Sequence, residues 1–186
     1  MDGIAGFLNE RGFETLNLPY PSFRHSMDEI IDRVAREIGE SSKRTHFVTH
    51  SMGGIVLRCL AERYPELVTG KIVMLAPPNQ GSEIIDWLED SPLGWLSLGP
   101  GGMSLSTSRV PRDVPAFKDD QDVSVIMGNK NRMPAFDFFL EGDNDGIVTV
   151  EGGRVHGMKR LEVVDADHTF IMGEKKVLEL VAEILS

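Results

Sequence analysis

Phe47-Val48-Thr49-His50-Ser51-Met52-Gly53-Gly54-Ile55-Val56 is the stretch on which the reading of this chain turns. An apolar run reaches a serine and continues at once into a segment with helical spacing, which predicts a strand that bends sharply into a helix with Ser51 at the apex. A serine hydroxyl is a poor nucleophile unless it is lifted clear of its surroundings and faced by a base. Such a turn supplies the lift, and small residues at Gly53 and Gly54 let the new helix pack close to the strand. The usual pattern for this turn has glycine two residues before the serine, where this chain has Thr49. The plainer alternative is that Ser51 only caps the helix, bonding a free backbone N–H.

Working outward, strand and helix patterns alternate. Ile4 to Arg11 reads as a helix stopped at Gly12, and Phe13 to Leu18 as a strand closed by Pro19-Tyr20-Pro21. Ser26 with Glu29 forms a capping box, and Ile30, Ile31, Val34 and Ile38 mark one face of the next helix. Strands are expected at Arg44–His50, Lys71–Ala76, Val123–Met127 and Leu161–Val164, with helices at Ile55–Tyr64 and Lys175–Leu185. This order predicts an α/β domain built on a mostly parallel sheet flanked by helices, spanning residues 1–186 without a linker.

Between Gly81 and Pro115 the periodicity breaks down. That stretch holds Trp87, Trp95, Leu96, Leu98, Met103 and Leu105, with a Gly-Pro-Gly-Gly run at 99–102. It is expected to be a cap-like insertion over the carboxyl edge of the sheet, where open α/β sheets bind ligands. Its apolar residues either wall a pocket, Trp87 and Trp95 among them, or simply fasten the insertion to the body.

Bulk properties narrow the function. The 186 residues are enough for one sizeable core. A net charge of −10 argues against nucleic acid or an anionic membrane surface as partner. No apolar run is long enough to span a bilayer, and Met1-Asp2-Gly3 does not begin a signal-peptide pattern. Cys59 is the single cysteine, so there is no intrachain disulfide and no cysteine-based zinc site, and a cytoplasmic setting is expected.

A nucleophilic serine needs a base and an orienting acid, and in this strand–turn–helix context they follow in the order serine, acid, histidine. Asp145-Gly146 offers a tight turn able to present a carboxylate, and it is preferred to Asp143 because Ile147-Val148 would anchor it. Asp167-His168-Thr169 lies between the last strand and the last helix. In this assignment His168 takes the Ser51 proton and Asp145 fixes the imidazole tautomer. The acidic cluster from Glu141 resembles a calcium loop only in part, because Gly152 falls where a bidentate glutamate is required. No metal or cofactor is expected. His25, His46 and His156 read as structural or surface residues, His50 as packing on the far side of a strand step, and Cys59 as small core material.

Four blocks together resemble the α/β-hydrolase superfamily, and its bacterial lipase/esterase-like group in particular. They are the stretch from Phe47 to Val56, the stretch from Leu75 to Ser82, Asp145 to Val148, and His168 to Phe170. The resemblance implies Ser51, Asp145 and His168 as the triad and the Met52 N–H as an oxyanion donor, with Asn79 and Gln80 bordering a substrate cleft. It further implies hydrolysis of a small-molecule ester or lipid through an acyl-enzyme. The alternatives are an impaired scaffold that binds a small apolar ligand or a protein, and an acyltransferase using the same triad. Members of the family carry an upstream strand ending in a His-Gly loop, and no His-Gly pair precedes Ser51 here. The expectation is therefore an N-terminally truncated fold whose open strand edge favours self-association. The competing expectation is that the first strand moves inward to pair with the strand before Ser51.

Overall fold

Four strands order themselves β1 (Phe47–His50), β2 (Lys71–Leu75), β3 (Asp122–Gly128) and β4 (Met158–Val164) across one sheet, every neighbouring pair parallel. The computed structural model describes residues 1–18, 25–39, 44–89, 105–132 and 138–186, without the side chains of 87–89 and 111–112. The helices are α1 (Asp2–Asn9), α2 (Met27–Gly39), α3 (Met52–Arg63), α4 (Glu83–Glu89), α5 (Val110–Asp113) and α6 (Lys175–Leu185). None of the described helices is long and apolar enough to cross a membrane.

The strands are apolar on both faces because both faces are covered. Alternate residues Phe47, Ile72, Met74, Val123, Val125 and Met127 meet Ile30, Ile31, Val56, Leu57 and Leu60 from α2 and α3. The intervening Val73, Leu75, Ile126 and Val164 meet Ile4 and Leu8 of α1 and Val177, Val181 and Leu185 of α6. The two-residue period of the pleat assigns each side chain to one of these cores. The capping box forms as expected: the Ser26 N–H donates to Glu29 Oε2 at 2.8 Å, and the Glu29 N–H approaches Ser26 Oγ at 3.4 Å.

One expected strand is absent. Residues 13–18 form no ladder, and β1 pairs only with β2 among the described residues, so neither an outer strand nor an inward-shifted one is seen. A strand needs a partner for its backbone groups. Here side chains tether the segment instead, with Thr15 Oγ1 donating to Asn9 Oδ1 and Asn17 Nδ2 donating to Asp2 Oδ1, while Leu16 stays 64% exposed.

The described parts of the 81–115 stretch pack onto the body. Ile85, Leu105 and Val110 form a small core with Ile55 of α3. Residues 90–104, including Trp95, lie outside the described residues. The far side of this region is fastened by Arg58, which is 4% exposed. Its Nε donates to Pro115 O at 2.8 Å, one terminal nitrogen to Val114 O at 2.9 Å, and the other to Asn79 O at 2.9 Å and Asn79 Oδ1 at 3.2 Å. Burial lowers the guanidinium pKa to about 10, which still leaves it charged at neutral pH.

Arg58→Met keeps much of the bulk but strips the donors from three backbone carbonyls and from Asn79 Oδ1. Urea unfolding should show a loss of about 3 kcal/mol or more, at about 1–3 kcal/mol for each buried acceptor left unpaired. Arg58→Lys should recover only part, because an ammonium cannot span the same fork of acceptors. A full recovery by lysine would contradict this account.

Candidate active site

The carboxyl ends of β1, β3 and β4 open onto one edge of the sheet, with β2 standing between β1 and β3, and the loops that leave them carry the three residues singled out from the sequence. Ser51 follows β1 directly, with φ 51° and ψ −124°. This is a left-handed state that a side-chain-bearing residue adopts only where its surroundings hold it. Its N–H donates to Leu75 O at 2.9 Å, anchoring the turn to β2. The hydroxyl does not cap α3. Instead Ser51 Oγ lies 2.9 Å from His168 Nε2, so the simple helix-cap reading does not hold. Close packing of α3 depends on Gly54, where a Cβ would stand 2.5 Å from the Met74 methyl and 3.0 Å from Pro77 Cβ.

Asp145 is 2% exposed and every carboxylate oxygen is engaged. Oδ1 accepts the N–H groups of Ile147 at 3.0 Å and Val148 at 2.8 Å, and Oδ2 lies 2.8 Å from His168 Nδ1. A carboxylate can only accept, so Nδ1 carries the imidazole proton and Nε2 is left to accept from Ser51. Gly146 follows at φ 96°, which glycine adopts without strain, and the loop folds back on Asn144 Oδ1. Asp143, the weaker candidate, is exposed.

His168 sits in a turn shaped by Asp167, whose Oδ1 accepts the N–H groups of Thr169 at 3.0 Å and Phe170 at 3.1 Å. Arg132 Nε stands 2.9 Å from Asp167 Oδ2, yet that oxygen has no formed hydrogen bond, so the pairing is one of charge rather than direction. The His168 N–H donates to Asp145 O at 3.0 Å, joining the two loops through their main chains as well.

The other expected residues fare differently. Met52 is the first residue of α3, so its N–H has no acceptor within the helix and stands beside Ser51. Asn79 is fully buried and spent on structure: it accepts from Arg58 and its Nδ2 donates to Gly153 O at 2.8 Å. That is a correction to its expected place at the cleft, and it arises because the Arg58 guanidinium needs an inward-facing acceptor. Gln80 is exposed and its Nε2 donates to Arg154 O at 2.9 Å. Trp87 lies on α4 with its side chain outside the description, and Trp95 lies outside the described residues.

Two participants were not singled out. Gly128 ends β3, where a Cβ would run into the Ala166 carbonyl and stand 3.0 Å from Asp145 Cβ. A glycine closing a strand just upstream of the Asp145 loop was the available signal. His50, expected as packing, places its Nε2 2.8 Å from His168 O. Adjacency to the serine was its only sequence signal. Burial, aided by the nearby His168 and the N-terminal ammonium and opposed by the bond to the His168 carbonyl and by Asp145, brings the His50 pKa down to about 4.

No family model matches this chain. No curated protein matches it either. Solved structures do. The mature lipase BlEst2 of Bacillus licheniformis is 19% identical, with 85% of this chain covering 71% of that one at a TM-score of 0.68. The metagenomic carboxyl esterase MGS0156 is 20% identical, with coverage of 88% and 57% and a TM-score of 0.69. The monoacylglycerol lipase of Paleococcus ferrophilus is 16% identical, with coverage of 98% and 86% and a TM-score of 0.64. These likenesses establish an α/β-hydrolase fold of the kind found in bacterial lipases and esterases.

Two outcomes follow from this geometry. Gly128→Ala should cost about 1–3 kcal/mol by overpacking and should pull Asp145 away from His168; unchanged thermal unfolding would contradict it. For His50, the unfolded chain takes up a proton near the ordinary 6.5 and the folded chain only near 4. Between those values the unfolded state binds more protons, so stability falls as pH drops through the window. His46, whose pKa burial also lowers, adds in the same direction. Denaturation curves of the parent and His50→Gln isolate the His50 share: the variant should lose less stability on acidification, and parallel losses would refute the assignment.

Proposed function

We propose that this α/β-hydrolase-fold chain is a serine hydrolase that cleaves carboxylic esters through an acyl-enzyme. The observation that carries the reading is the unbroken line of contacts from Ser51 Oγ to His168 Nε2 at 2.9 Å and from His168 Nδ1 to Asp145 Oδ2 at 2.8 Å. The similar solved structures, named as lipases and a carboxyl esterase, support the ester as substrate class.

In this reading Ser51 Oγ bonds to the ester carbonyl carbon while its proton passes to His168 Nε2. The Met52 N–H, at the positive end of α3, faces the oxygen that becomes negative. The carbon–alkoxide bond then breaks, and the alcohol leaves with the proton held on His168. Water attacks the acyl-enzyme, His168 takes one of its protons, and Ser51 recovers that proton as the carboxylic acid departs. Asp145 stays ionised throughout, holding the ring in the Nδ1–H tautomer and facing the imidazolium. Apolar acyl or alcohol portions belong with the lipase-like neighbours, and the expected pocket-wall residues Trp87 and Trp95 remain part of this proposal.

Chromogenic esters of graded chain length test it. Turnover should drop about ten-thousandfold or more in Ser51→Ala, and by a similar order in Asp145→Asn, which leaves the wrong tautomer. Ester cleavage that persists in Ser51→Ala would overturn the proposal.

A further inference from the structure

His50 and Ser51 are consecutive, yet they hold the same histidine from two sides. Ser51 meets the ring of His168 at Nε2, whereas His50 reaches its main chain at 2.8 Å, the two imidazole centroids lying 5.1 Å apart and tilted by 48°. A carbonyl only accepts, so His50 donates from an Nε2–H.

The remaining bonds of His168 run elsewhere. Its N–H and its Nδ1–H both go to Asp145. Among the described residues, the hydrogen bonds joining residues 50–52 to residues 165–170 are the one from His50 to His168 O and the one between Ser51 and the ring. The second vanishes once Ser51 Oγ carries an acyl group, because the serine proton has left. From then until water attacks, the bond from His50 is the hydrogen bond left between these two segments, beside the apolar packing of Val48 against the cluster that holds Val164, Ala166 and Ile171.

We propose that His50 is a positioning residue, whose Nε2–H grips the His168 carbonyl and keeps the imidazole in register with the acylated serine while the reacting hydrogen bond is absent. This rests on the serine-hydrolase reading. It places the largest demand on deacylation, since acylation begins with the Ser51–His168 bond still made. The donor is neutral as well as directed. Burial keeps His50 uncharged above about pH 4, so it adds no second cation beside the imidazolium formed on His168. The charges that face His50 are His168, Asp145 and the N-terminal ammonium.

The test uses His50→Leu, which fills space without a donor, and His50→Gln, whose amide N–H can reach the same carbonyl. With a chromogenic ester, His50→Leu should show a burst of released alcohol followed by slow turnover. Its kcat should drop on the order of tenfold to a hundredfold, the cost of a base displaced by about 1 Å. KM should fall as well, because acyl-enzyme accumulates, so kcat/KM declines less than kcat. His50→Gln should return kcat to within about threefold of the parent. Proton NMR of the unreacted proteins reads the contact without turnover: the His168 Nδ1 proton should be sharp in the parent and in His50→Gln, and broadened by exchange in His50→Leu. A parent that fails to turn over any ester sinks the hydrolase reading, while the NMR comparison still decides whether His50 holds His168. The proposal is overturned if His50→Leu keeps the parental kcat and a sharp ring proton, or if leucine and glutamine depress kcat and Tm alike.

Discussion

Ser51 is held at φ 51° and ψ −124°, a backbone state that costs about 1–3 kcal/mol and persists only where the surroundings over-determine it. Those surroundings are identifiable. Leu75 O accepts the Ser51 N–H from the neighbouring strand, and Gly54 lets α3 close over Met74 and Pro77 so that the chain has nowhere else to go. The carbonyl of Ser51 accepts the Gly54 N–H at 2.9 Å, which starts the helix at once. Every contact of the hydroxyl is a consequence of that forced turn.

The parallel sheet turns one strained residue into a site. Parallel strands send all their outgoing loops to one edge, so residues 51, 145 and 168 arrive together although long segments separate them. Side-chain identity then decides what the edge can do. The Asp145 carboxylate is satisfied by Ile147 and Val148 before it meets His168, which makes it a fixed acceptor instead of a mobile one. His168 is tied to Asp145 through main chain and ring, and to His50 through its carbonyl. Two of its four contacts are thus made by backbone atoms that chemistry at the ring does not disturb. In the proposed mechanism, such second contacts would hold the reacting groups within the fraction of an ångström that catalysis requires.

How much of this was legible in the chain can be argued residue by residue. Strands β1 to β4 and helix α6 are visible because apolar runs with turn signals, and a helical apolar face, are local properties. Ser51, Asp145 and His168 are visible because the serine–acid–histidine order places each after a strand, and the distances bring together the residues the order named. The segment 13–18 has the composition of a strand, but a ladder is a property of two segments, and composition says nothing about the second. Asn79 looked like a cleft residue until Arg58, twenty-one positions away, took both its oxygens. Gly128 and His50 act through contacts with loops distant in sequence, so their local signals, a strand-closing glycine and a place beside the serine, do not say what they touch.

The account stands or falls on whether the hydroxyl of Ser51 is activated by the imidazole of His168. The most direct measurement is covalent labelling by a fluorophosphonate followed by tryptic mapping, since cleavage after Arg44 and Arg58 releases a peptide in which Ser51 is the sole serine. The account predicts one adduct, on that peptide, formed rapidly by the parent and hardly at all by His168→Ala. An adduct that forms equally fast without His168, or a parent that is never labelled, would contradict it.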